Sequence, residues 1–376
     1  MSPANVRRRS RPIRPTVHEV EREDPAGAAP VGADRRGCVM GRSGRKAWRW
    51  VGAAVLAGGA GVLVAANRSP VPASRLIRVV FQRGGAALAV GMAAHVPDGV
   101  DTRIGVPYRI GDQDALLDVF RPAGVREPLP LVVWVHGGAW VAGDKYDVAP
   151  YLAILAGTGR CVGVGLNYTR GPAGVHPLAI RQINDAFEFL TDQADRFGID
   201  PTRIVLAGDS AGAQLASQFA AMVTEPTFAA EVGIAPVVSC GRLRGVLLHC
   251  GVYDLTRLGE LTGLLGWAYD KIVWAYTGRR GLADNVAAAQ MSTINTVTAA
   301  FPPTLITGGN GDALTATQSR PMADRLAALS VPVRTHFYPA DRNPALGHEF
   351  QFDLDSEAGQ EVLRSTLEFL VERFDG

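Results

Sequence analysis

The sequence predicts an α/β domain: a mostly parallel sheet flanked by helices, with a helical cap. Two observations carry this expectation. From Val106 onward, short apolar runs alternate with longer helical ones, the rhythm of strand–helix units. Between Asp254 and Ser292 that rhythm stops. There "GWAYDKIVWAYTG" supplies an aromatic helical stretch, read as a cap inserted over about 255–290.

Each element has its own signal. Residues 1–46 are rich in Arg, Pro and Gly, which predicts a disordered basic tail. Residues 1–50 carry net charge +7 and the remainder −5, a basic head on a mildly acidic body. Val51–Ala66, "VGAAVLAGGAGVLVAA", holds no charge and follows Arg42, Arg45, Lys46 and Arg49. As a helix it spans about 24 Å against a hydrocarbon core of roughly 30 Å. This is a basic region followed by an apolar one, assigned with its linker to 47–70 as a signal or anchor. The expectation is an exported body, membrane-anchored or secreted. If the segment is uncleaved, the N-terminus faces the cytoplasm. Met40 begins a compact alternative start, "MGRSGRKAWRW".

Residues 71–105 read as an N-terminal arm or cap, helical over Ser74–Ala94, that covers the body or lies on a bilayer surface. Residues 106–376 form the main domain. Strands are predicted at Leu116–Phe120, Leu129–Val135, Val162–Leu166, Ile204–Leu206, Val246–Cys250, Thr304–Thr307 and Val333–Tyr338. Helices are predicted at Val148–Ala156, Leu178–Phe197, Ala211–Val223, Arg320–Ala328 and Ala358–Phe374. "GIDPTR" turns one helix into the next strand. The four cysteines include no CxxC pair, so no metal site is predicted. Export permits a Cys240–Cys250 disulfide, but Cys161 and Cys250 fit better as buried thiols. The basic head lacks interleaved aromatics, so no nucleic-acid partner is expected.

Chemistry concentrates after one strand. Ser210 lies in Gly-Asp-Ser-Ala-Gly, between a strand and a helix. A nucleophile on so sharp a turn needs Gly208 and Gly212 to lack side chains. A serine needs a base. Of the seven histidines, His348 in "NPALGHEF" follows the last strand, while His249 and His336 sit in strand runs. An imidazole needs a carboxylate to orient it. Asp312 follows the strand "TLIT"; Asp254, after the preceding strand, is the runner-up. "WVHGGAW" offers backbone N–H donors at Gly137, Gly138 and Ala139, and Ala211 offers another just after the serine. His136 is expected to brace this loop. Asp209 has no assigned chemistry.

"HGGAW", "GDSAG", "GDAL" and "GHEF" in this order resemble the α/β-hydrolase serine esterases, and most closely the bacterial hormone-sensitive-lipase-like carboxylesterases. "LNYTRGPAGVHP" is similar to a loop of that branch. The likeness covers about residues 106–374. It implies Ser210 as nucleophile, His348 as base, Asp312 as orienting acid, and Gly138, Ala139 and Ala211 as oxyanion donors. It implies no cofactor and a small-molecule or lipid ester as substrate. Ala139 stands where the branch carries a third glycine, which crowds bulky tertiary-alcohol esters. The HGGxW pattern also resembles arylformamidases and prenylcysteine methylesterases, so an amidase-type hydrolase with the same triad is the alternative. A membrane-tethered binding protein that lost the chemistry is a further one. The cap aromatics Trp267, Tyr269, Trp274 and Tyr276 are candidate acyl-pocket or packing residues.

Overall fold

The computed structural model describes residues 67–375. The basic tail, the apolar segment Val51–Ala66 and the alternative start at Met40 lie outside the described residues.

Eight strands form one sheet in the order β1-β2-β4-β3-β5-β6-β7-β8. They are β1 (Val100–Pro107), β2 (Leu116–Pro122), β3 (Leu129–Val135), β4 (Val162–Leu166), β5 (Ile199–Asp209), β6 (Leu243–His249), β7 (Thr304–Gly308) and β8 (Val333–Phe337). β1 and β4 pair antiparallel with β2, and every other pairing is parallel. The predicted mostly parallel sheet is what forms.

The central strands read as unbroken apolar runs because both faces are covered. Period-two alternation sends Leu131, Val133 and Val135 to one face, where they join a core with Ile180, Phe187 and Phe219. Val132 and Trp134 point the other way, into a core with Tyr151, Leu152 and Phe369. Helices α1 (Val71–Ala93), α2 (Lys145–Gly157), α3 (Leu178–Asp192), α4 (Ala194–Phe197), α5 (Ala211–Thr224), α6 (Pro226–Val232), α7 (Gly263–Thr277), α8 (Val286–Met291), α9 (Arg320–Ala328) and α10 (Glu357–Asp375) complete the described elements with short 3₁₀ turns and a π-helical turn at Thr315–Ser319. α2 starts at Asp144, whose side chain accepts from the Tyr146 N–H while Asp147 reaches back to the Asp144 N–H. This reciprocal cap fixes where Asp147 sits.

Two elements depart from expectation. The helix expected over Leu178–Phe197 breaks at Gln193 into α3 and α4. Residues 71–105 are not helical throughout: α1 ends at Ala93, and Val100–Pro107 becomes the edge strand β1. Asp101, Thr102, Arg103 and Ile104 are exposed in succession there, so both faces of this edge strand meet solvent and it carries no apolar run to mark it. α1 itself packs against α2 and α7. Its Arg78 donates to the carbonyls of Val141 at 2.7 Å and Gly171 at 3.1 Å, tying the arm to the loops after β3 and β4. Residues 255–290, expected as a cap, contribute α7, most of α8 and a 3₁₀ turn, and none of them joins the sheet.

Candidate active site

β5 ends at Asp209 and α5 begins at Ala211, so Ser210 alone makes the turn, at φ 51°. That left-handed backbone is costly for a residue with a side chain and marks a strained site. The strain is held from both sides. The Ser210 N–H donates to the His249 carbonyl at 2.8 Å. A Cβ on Gly212 would lie 2.0 Å from the Val135 carbonyl oxygen, so only glycine lets α5 press against the end of β3.

The structure brings three of the expected residues into one line. His348 Nε2 is 2.9 Å from Ser210 Oγ, and His348 Nδ1 is 2.8 Å from Asp312 Oδ2. The other Asp312 oxygen accepts from the Leu314 N–H at 2.9 Å. Asn310 clasps the two loops: its Oδ1 accepts from the Leu346 N–H and its Nδ2 donates to the Arg342 carbonyl, both at 2.9 Å. The Gly311 N–H adds a bond to the Leu346 carbonyl at 2.8 Å. The loops bearing Asp312 and His348 are therefore one unit. Asp254 is elsewhere: it accepts from the Thr256 N–H and caps a 3₁₀ turn.

Electrostatics follow from this packing. Burial opposes a charged His348 imidazole, but the Cys250 sulfur, Asp312 and Glu349 outweigh it and move its pKa well upward. The imidazole keeps 31% of its surface exposed, which leaves it a path to a substrate. Cys250 is a buried free thiol within 4.8 Å of ligating atoms of both His348 and Asp312. Cys240 is also free and exposed, so the Cys240–Cys250 disulfide is not formed.

The loop after β3 offers fewer free N–H donors than the sequence suggested. Among the described residues, no protein group accepts from the N–H of Gly138, Ala139 or Ala211. The Gly137 N–H is taken: it donates to Asp209 Oδ2 at 2.9 Å. Gly137 is thus an anchor of the loop and not a free donor. Gly138, Ala139 and Trp140 all adopt positive φ. Trp140 locks the end of the run, donating to Gln214 Oε1 at 2.9 Å and stacking on Tyr276. His136 stacks on Tyr168, and its Nδ1 lies 2.8 Å from the Gly137 carbonyl. Burial pushes its pKa down to about 4, so it is neutral and donates from Nδ1.

Of the cap aromatics, Tyr276 is buried in packing, and Tyr269 lines a 340 Å³ cavity with Leu258, Leu261, Val273 and Leu282. Burial raises the Tyr269 phenol, with His348 and Asp312 among the charges that act on it. Sequence reasoning missed Asp209 as the anchor of Gly137, although both residues lay inside quoted motifs.

Residues 117–326, more than half of the chain, match the BD-FAE family model. An alpha/beta hydrolase of Acanthamoeba polyphaga mimivirus is 25% identical over 233 residues. The match takes in 60% of this chain and spans 64% of that relative's length. Esterase B of Lactobacillus rhamnosis, in an inhibited crystal structure, superposes with a TM-score of 0.67 at 24% identity, covering 80% of this chain and 97% of that one. A Pyrobaculum calidifontis esterase gives 0.62 at 22% identity, covering 79% and 92%. A bacterial heroin esterase gives 0.61 at 19%, covering 79% and 90%. The shared architecture is the α/β-hydrolase fold.

Proposed function

The chain belongs to the BD-FAE family, and on that premise we propose that it is a serine carboxylesterase, lipase-like in architecture. It cleaves carboxylic esters of small to medium acyl chains through an acyl-enzyme on Ser210. The observation that carries this reading is the unbroken line from Ser210 Oγ through His348 to Asp312, with bonds of 2.9 and 2.8 Å. The esterase neighbours support it.

His348 Nε2 accepts the Ser210 proton as Oγ attacks the ester carbonyl. Asp312 holds the Nδ1–H and stabilises the imidazolium that forms. The negative oxygen meets the free N–H groups of Gly138, Ala139 and Ala211. Each such donor contributes about 3 kcal/mol, because it acts on charge present only in the transition state. The imidazolium then protonates the leaving alcohol. Water, deprotonated by the same imidazole, attacks the acyl carbonyl and returns Ser210. The mostly apolar cavity beside Tyr269 is of a size for a small or medium acyl chain.

The chain also associates with a membrane. Support comes from the uncharged stretch Val51–Ala66 and from α1, which is long and apolar enough to cross a bilayer by length and composition. The outer face of α1 exposes Leu76, Val79, Val80 and Val90.

A fluorophosphonate probe tests the reaction class. It should label the wild type at Ser210 and leave Ser210→Ala unlabelled and inactive on p-nitrophenyl butyrate. A Ser210→Ala protein that hydrolyses this ester at the wild-type rate refutes the reading.

A further inference from the structure

Asp209, the residue before the nucleophile, is 3% exposed and carries a carboxyl group with no part in the proton relay. Its Oδ1 accepts from Trp134 Nε1 at 2.8 Å and its Oδ2 from the Gly137 N–H at 2.9 Å. Glu349, the residue after the base, turns inward on a left-handed backbone at φ 62°. Its carboxyl group and that of Asp209 line one small cavity together with Gly137 and Asp147. Gly137 lies against both: a Cβ there would be 2.2 Å from Asp209 Oδ2 and 3.2 Å from Glu349 Oε1. Glu349 Oε1 is also 4.0 Å from His348 Nε2.

We propose that Asp209 and Glu349 hold one proton between them and act as a positioning pair that fixes the oxyanion loop relative to nucleophile and base. This rests on the serine-esterase reading. The pair joins three separate parts of the chain: Gly137 after β3, the approach to Ser210, and the residue following His348. Two carboxyl groups brought against one glycine, one of them buried, repel when both ionise, and a single shared proton relieves that repulsion. With one proton present, the contact is a hydrogen bond and Gly137 stays anchored. With none, the pair repels and the loop carrying Gly138 and Ala139 loses its anchor.

The surroundings make loss of that proton consequential. Burial, then Glu349, raises Asp209 far above the usual carboxylate range. Asp147, from the first turn of α2, adds negative charge, and burial raises its own carboxyl to about 6. Arg170 faces Asp147 and opposes it. The charge of Asp209 acts on the Tyr168 phenol and that of Glu349 on the Cys250 thiol, and His348 lies 4.0 Å from Glu349. α1 closes the space with Phe81, Gly85 and Leu88, which bring no charge.

The test compares kcat and KM on p-nitrophenyl butyrate from pH 6 to 10 for the full chain and for Asp209→Asn, Glu349→Gln, Glu349→Ala and the Asp209→Asn/Glu349→Gln double variant. Wild-type kcat should fall on the alkaline side with KM little changed. Glu349→Gln should abolish that alkaline fall, since the pair has no second proton to lose. Glu349→Ala should lower kcat by about tenfold or more, the scale of a displaced oxyanion donor, and Glu349→Gln should recover most of it by donating its amide to Asp209. The double variant should be no worse than the poorer single variant. An unchanged alkaline fall in Glu349→Gln, or a double variant whose loss is the product of the single losses, overturns the pairing. If Asp209→Asn does not fold, the Glu349 pH profiles carry the test alone. A wild type that the fluorophosphonate fails to label refutes the esterase reading, whereas a labelled wild type with unchanged Glu349 profiles refutes only the pairing.

Discussion

Replacing Asp312 by Asn should lower kcat by about 10³- to 10⁴-fold, or about 4–5.5 kcal/mol in the barrier. The structure sets the reason. Asp312 serves two donors, the His348 Nδ1–H and the Leu314 N–H. Asparagine has one oxygen for them. If that oxygen keeps the buried Leu314 N–H, its NH₂ faces Nδ1 and forces the imidazole into the tautomer protonated at Nε2. That tautomer points a proton at Ser210 Oγ and takes none from it. If the amide flips, the Leu314 N–H loses its acceptor at about 1–3 kcal/mol. The first state is the cheaper, so the enzyme rests in the wrong tautomer. Asp254→Asn is the control: asparagine also caps a turn, so kcat should stay within about twofold. The assay is p-nitrophenyl butyrate turnover from pH 6 to 9, with thermal melts to verify folding. A loss below about tenfold in Asp312→Asn, or a deeper loss in Asp254→Asn, refutes the reasoning.

Other outcomes follow from the same geometry. His348 titrates well above the ordinary histidine value, so wild-type kcat should rise with pH through a midpoint above about 6.5; Asp312→Asn should move that midpoint down. Burial pushes His249 down to about 3 and His136 to about 4. Protons therefore bind the unfolded chain first, and stability present above about pH 6.5 drains as pH falls toward those values. Melting temperature should track that window, and His249→Asn should flatten the slope. Gly212→Ala forces a methyl group to 2.0 Å from a backbone oxygen and should abolish soluble, active protein, checked by yield and circular dichroism. Leu56→Arg/Leu63→Arg places two charges in the apolar stretch at roughly 3 kcal/mol each and should shift the chain from the membrane to the soluble fraction after cell fractionation.

Much of this was legible in the sequence because the signals were local. Leu129–Val135 and Val162–Leu166 appear as predicted, since both faces of these strands are covered and apolarity alone marks them. Ser210, Asp312 and His348 each sit just beyond a strand or in a short loop, so chain order narrowed the choice. β1 was hidden because its exposed Asp101 and Arg103 carry no apolar signal. The Gly137 anchor was hidden for another reason. Its partners come from β3, the end of β5 and the loop after β8, and no local pattern reports that Trp134, Asp209 and Glu349 converge. The split at Gln193 sits inside a continuous helical pattern, so the sequence carries no local mark of it.

The Asn310 clasp has a consequence for how this chain tolerates change. Asp312 and His348 ride on loops stitched to each other within 36 positions, whereas the walls of the cavity come from residues 258–282. On the esterase reading proposed above, with this cavity taken as the acyl site, proton relay and acyl selection fall to separate parts of the polypeptide. Substitutions at Leu258, Leu261 or Val273 should retune chain-length preference and leave the His348 pH midpoint in place. Drift in the ester that is recognised is then decoupled from the machinery that breaks it.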